Sequence, residues 1–171
     1  RRMNRKGDKA YIENLLDKLR ERIPGLVLRT SIITGLPGEG EEEFEELSQF
    51  LWDQRLLRAG VFPYSPEEGT PAAKMERVDT EEAERRAELV VDIQSRIMDD
   101  WNEEMQGEIL EVLCEGFDGQ SMSFVGRSYA ESPDIDGRIY FTADGEVETG
   151  TFVSVRITGT MDGELTGELV E

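Results

Sequence analysis

The chain has 171 residues, a formal net charge of −19, one cysteine and no histidine. This length allows one domain or two small ones. No apolar run approaches the length of a membrane span, so we expect no membrane insertion. The lone cysteine excludes a disulfide framework and fits a reducing cytoplasm, and the lack of histidine excludes sites built on imidazole.

The acidic charge is concentrated towards the carboxyl terminus. Residues 1–75 contain 12 basic and 13 acidic side chains, residues 76–106 contain 4 and 11, and residues 107–171 contain 3 and 14. Such a surface disfavours nucleic acid, whose phosphates require lysine and arginine. It would instead attract a basic partner. The alternative explanation is that the charge serves solubility alone.

The first 75 residues alternate between helical and strand patterns. Apolar residues at helical spacing predict a helix over 8–23, and a nearly continuous apolar and β-branched run predicts a buried strand over 26–33. A second helix is predicted over 41–57 and a second strand from residue 59 to 62. This order predicts parallel strands joined by a right-handed crossover, each strand covered on both faces.

Such a unit is too small to stand alone. A complete (β/α)₈ barrel takes roughly 200 residues or more, so residues 1–75 correspond to about a quarter or a third of one. The chain also begins Arg-Arg-Met rather than with methionine. We therefore expect that it is a piece of a longer polypeptide whose upstream part completes the barrel.

The segment 31–40, Ser-Ile-Ile-Thr-Gly-Leu-Pro-Gly-Glu-Gly, carries the chain from the first strand directly into the second helix. Its glycines provide backbone freedom, and Pro37 stiffens the turn. Turns at the carboxyl ends of parallel strands are where α/β barrels and open α/β sheets hold their ligands. This turn is therefore the leading candidate for part of a binding site.

The turn has two alternative interpretations. Gly35 and Gly40 have the spacing of a phosphate-binding loop, but Glu41 and Glu42 stand where such a loop requires lysine and serine or threonine, which excludes a nucleoside triphosphatase. The remaining alternative is an ordinary tight connection, in which the acidic residues that follow favour the positive end of the helix dipole.

The second half of the chain changes from a helical to a strand pattern. Asp79 and Glu82 have the spacing of a capping box that opens a long helix to about residue 106, interpreted as a connector along the barrel flank. Its apolar stripe consists of Ala83, Ala87, Val90, Val91, Ile97, Met98, Trp101 and Met105. These side chains, including tryptophan and methionine, are interpreted as core residues.

Five short strands, most of them separated by Asp-Gly turns, follow the long helix. They are predicted at residues 108–117, 123–130, 137–143, 151–158 and 163–170. Five strands in about 65 residues predict a small closed barrel close to the oligonucleotide-binding architecture. Cys114 falls in the middle of the first of these strands, where we expect a packed thiol.

Three stretches together resemble one family. Met3–Arg5, Ser31–Glu39 and the segment 62–73, with its Phe-x-Tyr-Ser and Gly-Thr-x-Ala-Ala motifs, stand in the order and spacing of the radical S-adenosylmethionine methylthiotransferases. Residues 107–171 resemble the TRAM domain of that family. Within it, the segment 126–137, Gly-Arg-Ser-Tyr-Ala-Glu-Ser-Pro-Asp-Ile-Asp-Gly, is similar to the member that modifies an aspartate of a small-subunit ribosomal protein.

The resemblance implies an α/β plus all-β fold. Residues 1–75 would form the carboxyl-terminal part of a parallel radical S-adenosylmethionine (β/α) barrel, residues 76–106 a connecting helix, and residues 107–171 a five-stranded TRAM barrel. The implied cofactors are S-adenosylmethionine and two [4Fe-4S] clusters. The chain lacks the cluster cysteines, so we expect the isolated chain to be inactive and to contain no catalytic or metal-binding residues.

The resemblance also implies residues that contact S-adenosylmethionine. Ile33 would form an apolar wall against the adenine, and Gly35 would allow close backbone approach. The family's motif is altered here, with Ser31 replacing its first glycine and its acid one place later, at Glu39. Core packing remains an equal alternative for Phe62 and Tyr64. The implied cofactor-binding set is Ile33, Thr34, Gly35, Pro37, Gly38, Phe62 and Tyr64.

The charge of the terminal domain favours a protein substrate. Three arginines, Arg127, Arg138 and Arg156, stand against fourteen carboxylates, too few to neutralise several RNA phosphates. A basic small-subunit ribosomal protein fits this surface better. Two alternatives remain: an enzyme of the same chemistry that binds tRNA through an upstream part, and a non-catalytic acidic adaptor.

Overall fold

The computed structural model describes residues 6–170, so the predicted Met3–Arg5 motif lies outside the described residues. The chain divides into two compact units, Arg1–Ile97 and Met98–Glu171. This division falls inside the long helix, whereas the sequence pattern placed boundaries after residues 75 and 106, and those domain limits stay a prediction. The helices are α1 (Lys9–Arg22), α2 (Glu41–Gln54) and α3 (Thr80–Glu104), and the strands are β1 (Arg29–Thr34), β2 (Arg58–Pro63), β3 (Ile109–Asp118), β4 (Ser123–Arg127), β5 (Ile139–Thr142), β6 (Phe152–Met161) and β7 (Glu164–Leu169).

The first unit contains a two-stranded parallel sheet. Strands β1 and β2 pair in register from Arg29 with Arg58 to Thr34 with Pro63. The predicted parallel pairing is therefore confirmed. Within residues 6–170, no further strand extends this sheet.

Burial along β1 alternates strictly. Ile32 and Thr34 are buried, whereas Ser31 and Ile33 are exposed. The buried face packs on a core formed mainly by residues of α2 and α3 and of the segment that precedes β2: Ile32, Phe44, Leu51, Leu56, Val90 and Ile97. The expectation that both faces of the strand are covered is wrong for the described residues, because the helical core covers only one of them.

Helix α1 is capped by a side chain at its amino-terminal end. The Asp8 carboxylate accepts a hydrogen bond of 2.9 Å from the Tyr11 amide, which satisfies one of the free donors of the first turn. The helix contributes Leu16 to the core of the first unit. Ile12 and Leu15 in the predicted apolar stripe are 44% and 43% exposed.

The long helix α3 begins at Thr80. Asp79 caps it by accepting a hydrogen bond of 2.9 Å from the Glu81 amide. Most of the predicted apolar stripe within the first unit is buried, but Val91 is 54% exposed. Successive residues of a helix are about 100° apart, so Val91 is turned away from the face on which Val90 is fully buried.

The second unit contains a closed barrel with the strand order β3-β4-β5-β7-β6. Strands β5 and β7 pair parallel and every other pair is antiparallel. The predicted five-stranded barrel is therefore confirmed. Its interior is filled by Val112, Cys114, Ile139, Phe141, Val155, Ile157 and Leu165. Cys114 is a fully buried thiol, as predicted.

The end of α3 belongs to this second unit. Trp101 is 8% exposed, which agrees with its interpretation as a core residue. The side-chain amide of Asn102 donates a hydrogen bond of 3.0 Å to the Gly163 carbonyl in the turn between β6 and β7. Among residues 6–170, no helix has both the length and the apolar character needed to cross a bilayer.

Candidate functional site

An exposed apolar pair marks the carboxyl end of the parallel sheet. Ile33 and Phe62 are partners in the register of β1 and β2 and lie on its uncovered face. They are 44% and 56% exposed. The alternative interpretation of Phe62 as a core residue therefore does not hold for the described residues. The pair forms an apolar surface where ligands of parallel sheets commonly bind.

Thr34 and Tyr64 are held by hydrogen bonds behind this surface. The Thr34 hydroxyl is buried and donates to the Ala83 carbonyl at 2.9 Å, so its side chain faces α3. The Thr34 carbonyl accepts from the Tyr64 amide at 2.8 Å. The Tyr64 hydroxyl oxygen is buried and has no hydrogen-bond partner within residues 6–170. A buried phenol without a partner is costly, so the Tyr64 hydroxyl is a polar group that the described residues leave unsatisfied.

The glycine turn follows Thr34 and packs closely against α3. Gly35 has a φ of +73°, and a Cβ atom there would lie 2.3 Å from the Cβ atom of Ala83. The close approach that requires glycine is therefore an approach to helix α3. Pro37 is buried and Gly38, with a φ of +81°, is exposed. The roles of these residues in cofactor binding stay predictions.

The Glu39 side chain binds Gly35, the first residue of this turn. Its Oε1 atom accepts a hydrogen bond of 2.9 Å from the Gly35 amide. The Glu39 amide in turn donates to the Leu36 carbonyl at 2.9 Å. Glu39, which stands one position after the acid of the family motif, thus contacts the turn itself.

Arg86 of α3 is the functional candidate that the sequence analysis missed. Its side chain is 4% exposed. Its Nη1 atom lies 3.0 Å from Glu39 Oε1, its Nη2 atom 3.1 Å from Glu41 and its Nε atom 2.7 Å from Glu82. One signal could have revealed it: Arg86 falls within the apolar stripe, three residues after Ala83 and four before Val90.

The guanidinium also holds backbone atoms of the turn. Its Nη1 atom donates to the Glu39 carbonyl at 3.2 Å and to the Gly40 carbonyl at 3.3 Å. Its other flank lies over the Phe44 ring, 5.3 Å from the ring centroid. Burial alone would lower the pKa of Arg86, but its hydrogen bonds to the surrounding carboxylates raise it. Arg86 is therefore a permanent cation at the base of the turn.

Glu82 is the most strongly perturbed carboxylate of this cluster. Hydrogen bonds from Arg85 and then Arg86 lower its pKa from 4.5 to about 2. Because this pKa is lower in the folded chain, the ion pair contributes stability that is complete above pH 4.5 and is lost as pH falls through about 2.

We expect Glu82→Gln to flatten the acid dependence of stability in this window. Urea unfolding of the first unit, monitored by hydrogen exchange at a series of pH values, would measure the change in the pH dependence of its stability. The matched control is Glu84→Gln, which removes an exposed carboxylate of the same helix. A Glu82→Gln profile as steep as that of the unaltered chain would contradict the assignment.

The barrel carries a separate charged cavity of about 430 Å³, lined by Glu115, Val125, Arg127, Asp134, Asp136 and Arg138. Within it, Arg127 Nε lies 2.7 Å from Glu115 Oε1. One of the three arginines of residues 107–171 is thus already neutralised by a carboxylate. The cavity therefore presents more negative than positive side chains.

The loop that borders this cavity is folded by its own carboxylates. Glu131 is 7% exposed and accepts hydrogen bonds from the Ser128 amide at 2.8 Å and the Ser128 hydroxyl at 2.7 Å. The Asp136 carboxylate accepts from the Ser132 amide at 2.8 Å. This network ends β4 at Arg127, three residues before the predicted end of that strand.

Comparisons with known proteins agree with this architecture. Residues 107–170 match the family model of the TRAM domain. The chain is 45% identical over 168 residues to the ribosomal protein uS12 methylthiotransferase RimO of Clostridium botulinum (strain Okra / Type B1). This match covers 98% of the chain and 37% of the relative. Identity to the protein of the same name from Myxococcus xanthus is 45% over 171 residues, 99% of the chain and 36% of the relative.

The chain thus combines a parallel β/α unit with a closed barrel that matches the TRAM domain. Along nearly its whole length, the chain is similar to proteins named ribosomal protein uS12 methylthiotransferase RimO. The resemblance drawn from its motifs is thereby confirmed. The chain spans about 37% of the length of the curated relatives it matches.

Proposed function

We propose that the chain is part of a radical S-adenosylmethionine enzyme that adds a methylthio group to an aspartate of ribosomal protein uS12 in the cytoplasm. The observation that carries the proposal is the 45% identity to RimO proteins over 98% of the chain. Because the chain spans about 37% of those relatives, the activity belongs to the whole protein that contains it.

The residues at the end of the parallel sheet fit S-adenosylmethionine. Ile33 and Phe62 offer an exposed apolar surface, and Tyr64 follows directly after the end of β2. In this proposal Ile33 and Phe62 hold the adenine by apolar contact, and the backbone of Gly35 and Gly38 borders it. Bound S-adenosylmethionine would supply the radical that activates an unreactive carbon.

The chain does not fit an iron–sulfur cluster. Clusters are held by several cysteine thiolates, and the sequence contains only Cys114, whose thiol is fully buried in the barrel. In this proposal the ligands of both [4Fe-4S] clusters come from other parts of the whole protein. The isolated chain of 171 residues would then be inactive.

The acidic barrel supports a protein substrate. Of the three arginines in residues 107–171, Arg127 is paired with Glu115, which leaves two arginines against the thirteen other carboxylates of this segment. Each RNA phosphate contact requires its own cation, whereas a basic protein surface complements this charge. We propose that the TRAM domain docks uS12 through a basic face of that protein and does not hold nucleic acid.

The function is tested by reconstituting the whole protein with its clusters and supplying S-adenosylmethionine, a reductant and a sulfide source. We expect mass spectrometry to find one methylthio group on an aspartate of uS12 and none on tRNA from the same reaction. The isolated chain is the matched control and should give no product. Methylthiolated tRNA with unmodified uS12 would favour a tRNA enzyme, and no product on either would favour an adaptor.

The docking surface predicts a salt-dependent affinity. Screening shortens the reach of exposed charges from about 10 Å at 0.1 M salt to about 3 Å at 1 M. We expect the dissociation constant of the whole protein for uS12, measured by fluorescence anisotropy, to rise across this range. Tighter binding to tRNA than to uS12 at equal ionic strength would overturn the choice of substrate.

A further inference from the structure

We propose that Arg86 is a positioning residue, which fixes the glycine turn of residues 35–40 in the conformation that binds S-adenosylmethionine. The inference rests on the proposed function, because it assigns a role to a residue behind the same site. In the part of the chain that the structure describes, Arg86 donates hydrogen bonds to Glu39, Gly40, Glu41 and Glu82. It acts through Glu39.

The geometry that carries this inference is a shared carboxylate oxygen. Glu39 Oε1 lies 3.0 Å from Arg86 Nη1 and accepts the Gly35 amide at 2.9 Å. The Glu39 side chain is 10% exposed. One nearly buried oxygen therefore joins the cation of α3 to the first residue of the turn. Gly35 follows Thr34 at the end of β1, two residues after Ile33.

The hydrogen bonds of Arg86 to the turn distinguish a positioning role from ordinary core packing. Arg86 Nη1 donates to a carboxylate and to two carbonyls of the turn, at Glu39 and Gly40. Buried ion pairs often add little net stability compared with apolar residues of similar size. An arginine whose Nη1 atom contacts three acceptors of one turn is therefore better explained by the conformation it specifies. The planar guanidinium reaches several acceptors at once, which a lysine ammonium cannot do in the same geometry.

The test compares variants of the whole reconstituted protein. S-adenosylhomocysteine is the probe, its dissociation constant is measured by calorimetry, and the exchange of the Gly35–Gly40 amides is followed by mass spectrometry. We expect Arg86→Met to raise the dissociation constant of the probe by about tenfold or more, which is the effect of losing a hydrogen bond to a charged group. The same variant should speed hydrogen exchange of the amides in the turn. Arg86→Lys is expected to restore part of both.

The chain provides a matched control in the preceding residue. Arg85 also binds Glu82, with 2.8 Å between Nη2 and Oε1, but it is 52% exposed and has no hydrogen bond to the turn in the described residues. We expect Arg85→Met to leave the probe affinity within about twofold, as for most surface substitutions. An equal loss in both variants would overturn the positioning role, because it would reflect the charge of the helix alone.

A further variant keeps the test decisive if Arg86→Met does not fold. Glu39→Gln retains an oxygen for the Gly35 amide but weakens the contact with Arg86, so weaker probe binding with normal folding would support the inference. Unchanged binding and exchange in a folded Arg86→Met or Glu39→Gln protein would overturn it. If the unaltered protein does not bind the probe, the proposed function itself fails, which distinguishes the two failures.

Discussion

Gly35→Ala is expected to destabilise the first unit by roughly 2 to 5 kcal/mol. Two costs combine. The backbone conformation at φ +73° disfavours any residue with a Cβ atom, and that atom would lie 2.3 Å from the Cβ atom of Ala83. Ala83 is buried and cannot move away without shifting α3. We therefore expect the turn to separate from the helix, which would also break the contact between Thr34 and Ala83.

A local measurement is needed, because two compact units need not unfold together. Native-state hydrogen exchange of β1 and α2 reports the first unit directly. Gly69→Ala is the matched control, since Gly69 has a φ of +83° but nothing within 4 Å of its Cβ position. That control should cost about 1 to 2 kcal/mol, the conformational part alone. Equal effects at the two sites would show that the packing against Ala83 does not determine the result.

Gly126→Ala is expected to destabilise the barrel by about 3 kcal/mol or more. A Cβ atom at Gly126 would lie 2.4 Å from the Leu113 carbonyl oxygen and 2.6 Å from a methyl carbon of Val112. Both neighbours belong to β3, the strand paired with β4. A backbone oxygen cannot rotate away as a side chain can, so relief requires the two strands to separate.

In a Trp52→Phe background, the fluorescence of Trp101, a buried residue of the second unit, provides a readout of barrel unfolding. Gly159→Ala is the control, because its Cβ atom would meet only the Thr166 hydroxyl at 3.6 Å. We expect that control to change stability by less than about 1 kcal/mol. Gly167 offers an independent repeat, with its Cβ position 2.5 Å from the Arg156 carbonyl oxygen. A Gly126→Ala barrel as stable as the Gly159→Ala barrel would contradict the close approach of β3 and β4.

Gly35, Gly126 and Gly167 illustrate two different structural reasons for a glycine. Gly35 combines a left-handed backbone with a helix in contact, whereas Gly126 and Gly167 allow neighbouring strands to approach closely. The first lies behind the proposed cofactor surface and the others lie in the TRAM barrel.

The sequence alone determined the features that depend on near neighbours. Alternating residues and Asp-Gly turns predicted the five barrel strands, and the crossover rule predicted the parallel pairing of β1 and β2, because strand period and turn chemistry are local. The position of the glycine turn followed in the same way. The binding site at this turn was predicted from motifs, and its part in cofactor binding stays a proposal.

Only the tertiary structure decided which face of β1 is covered and what holds the turn. Ile33 is exposed and Ile32 buried, although both belong to the same apolar run. Arg86 and Glu39 are 47 residues apart, and no local pattern relates them. A buried cation is acceptable only where the fold brings carboxylates and carbonyls to it. The packing of α3 against the turn, which depends on residues distant in sequence, creates that environment.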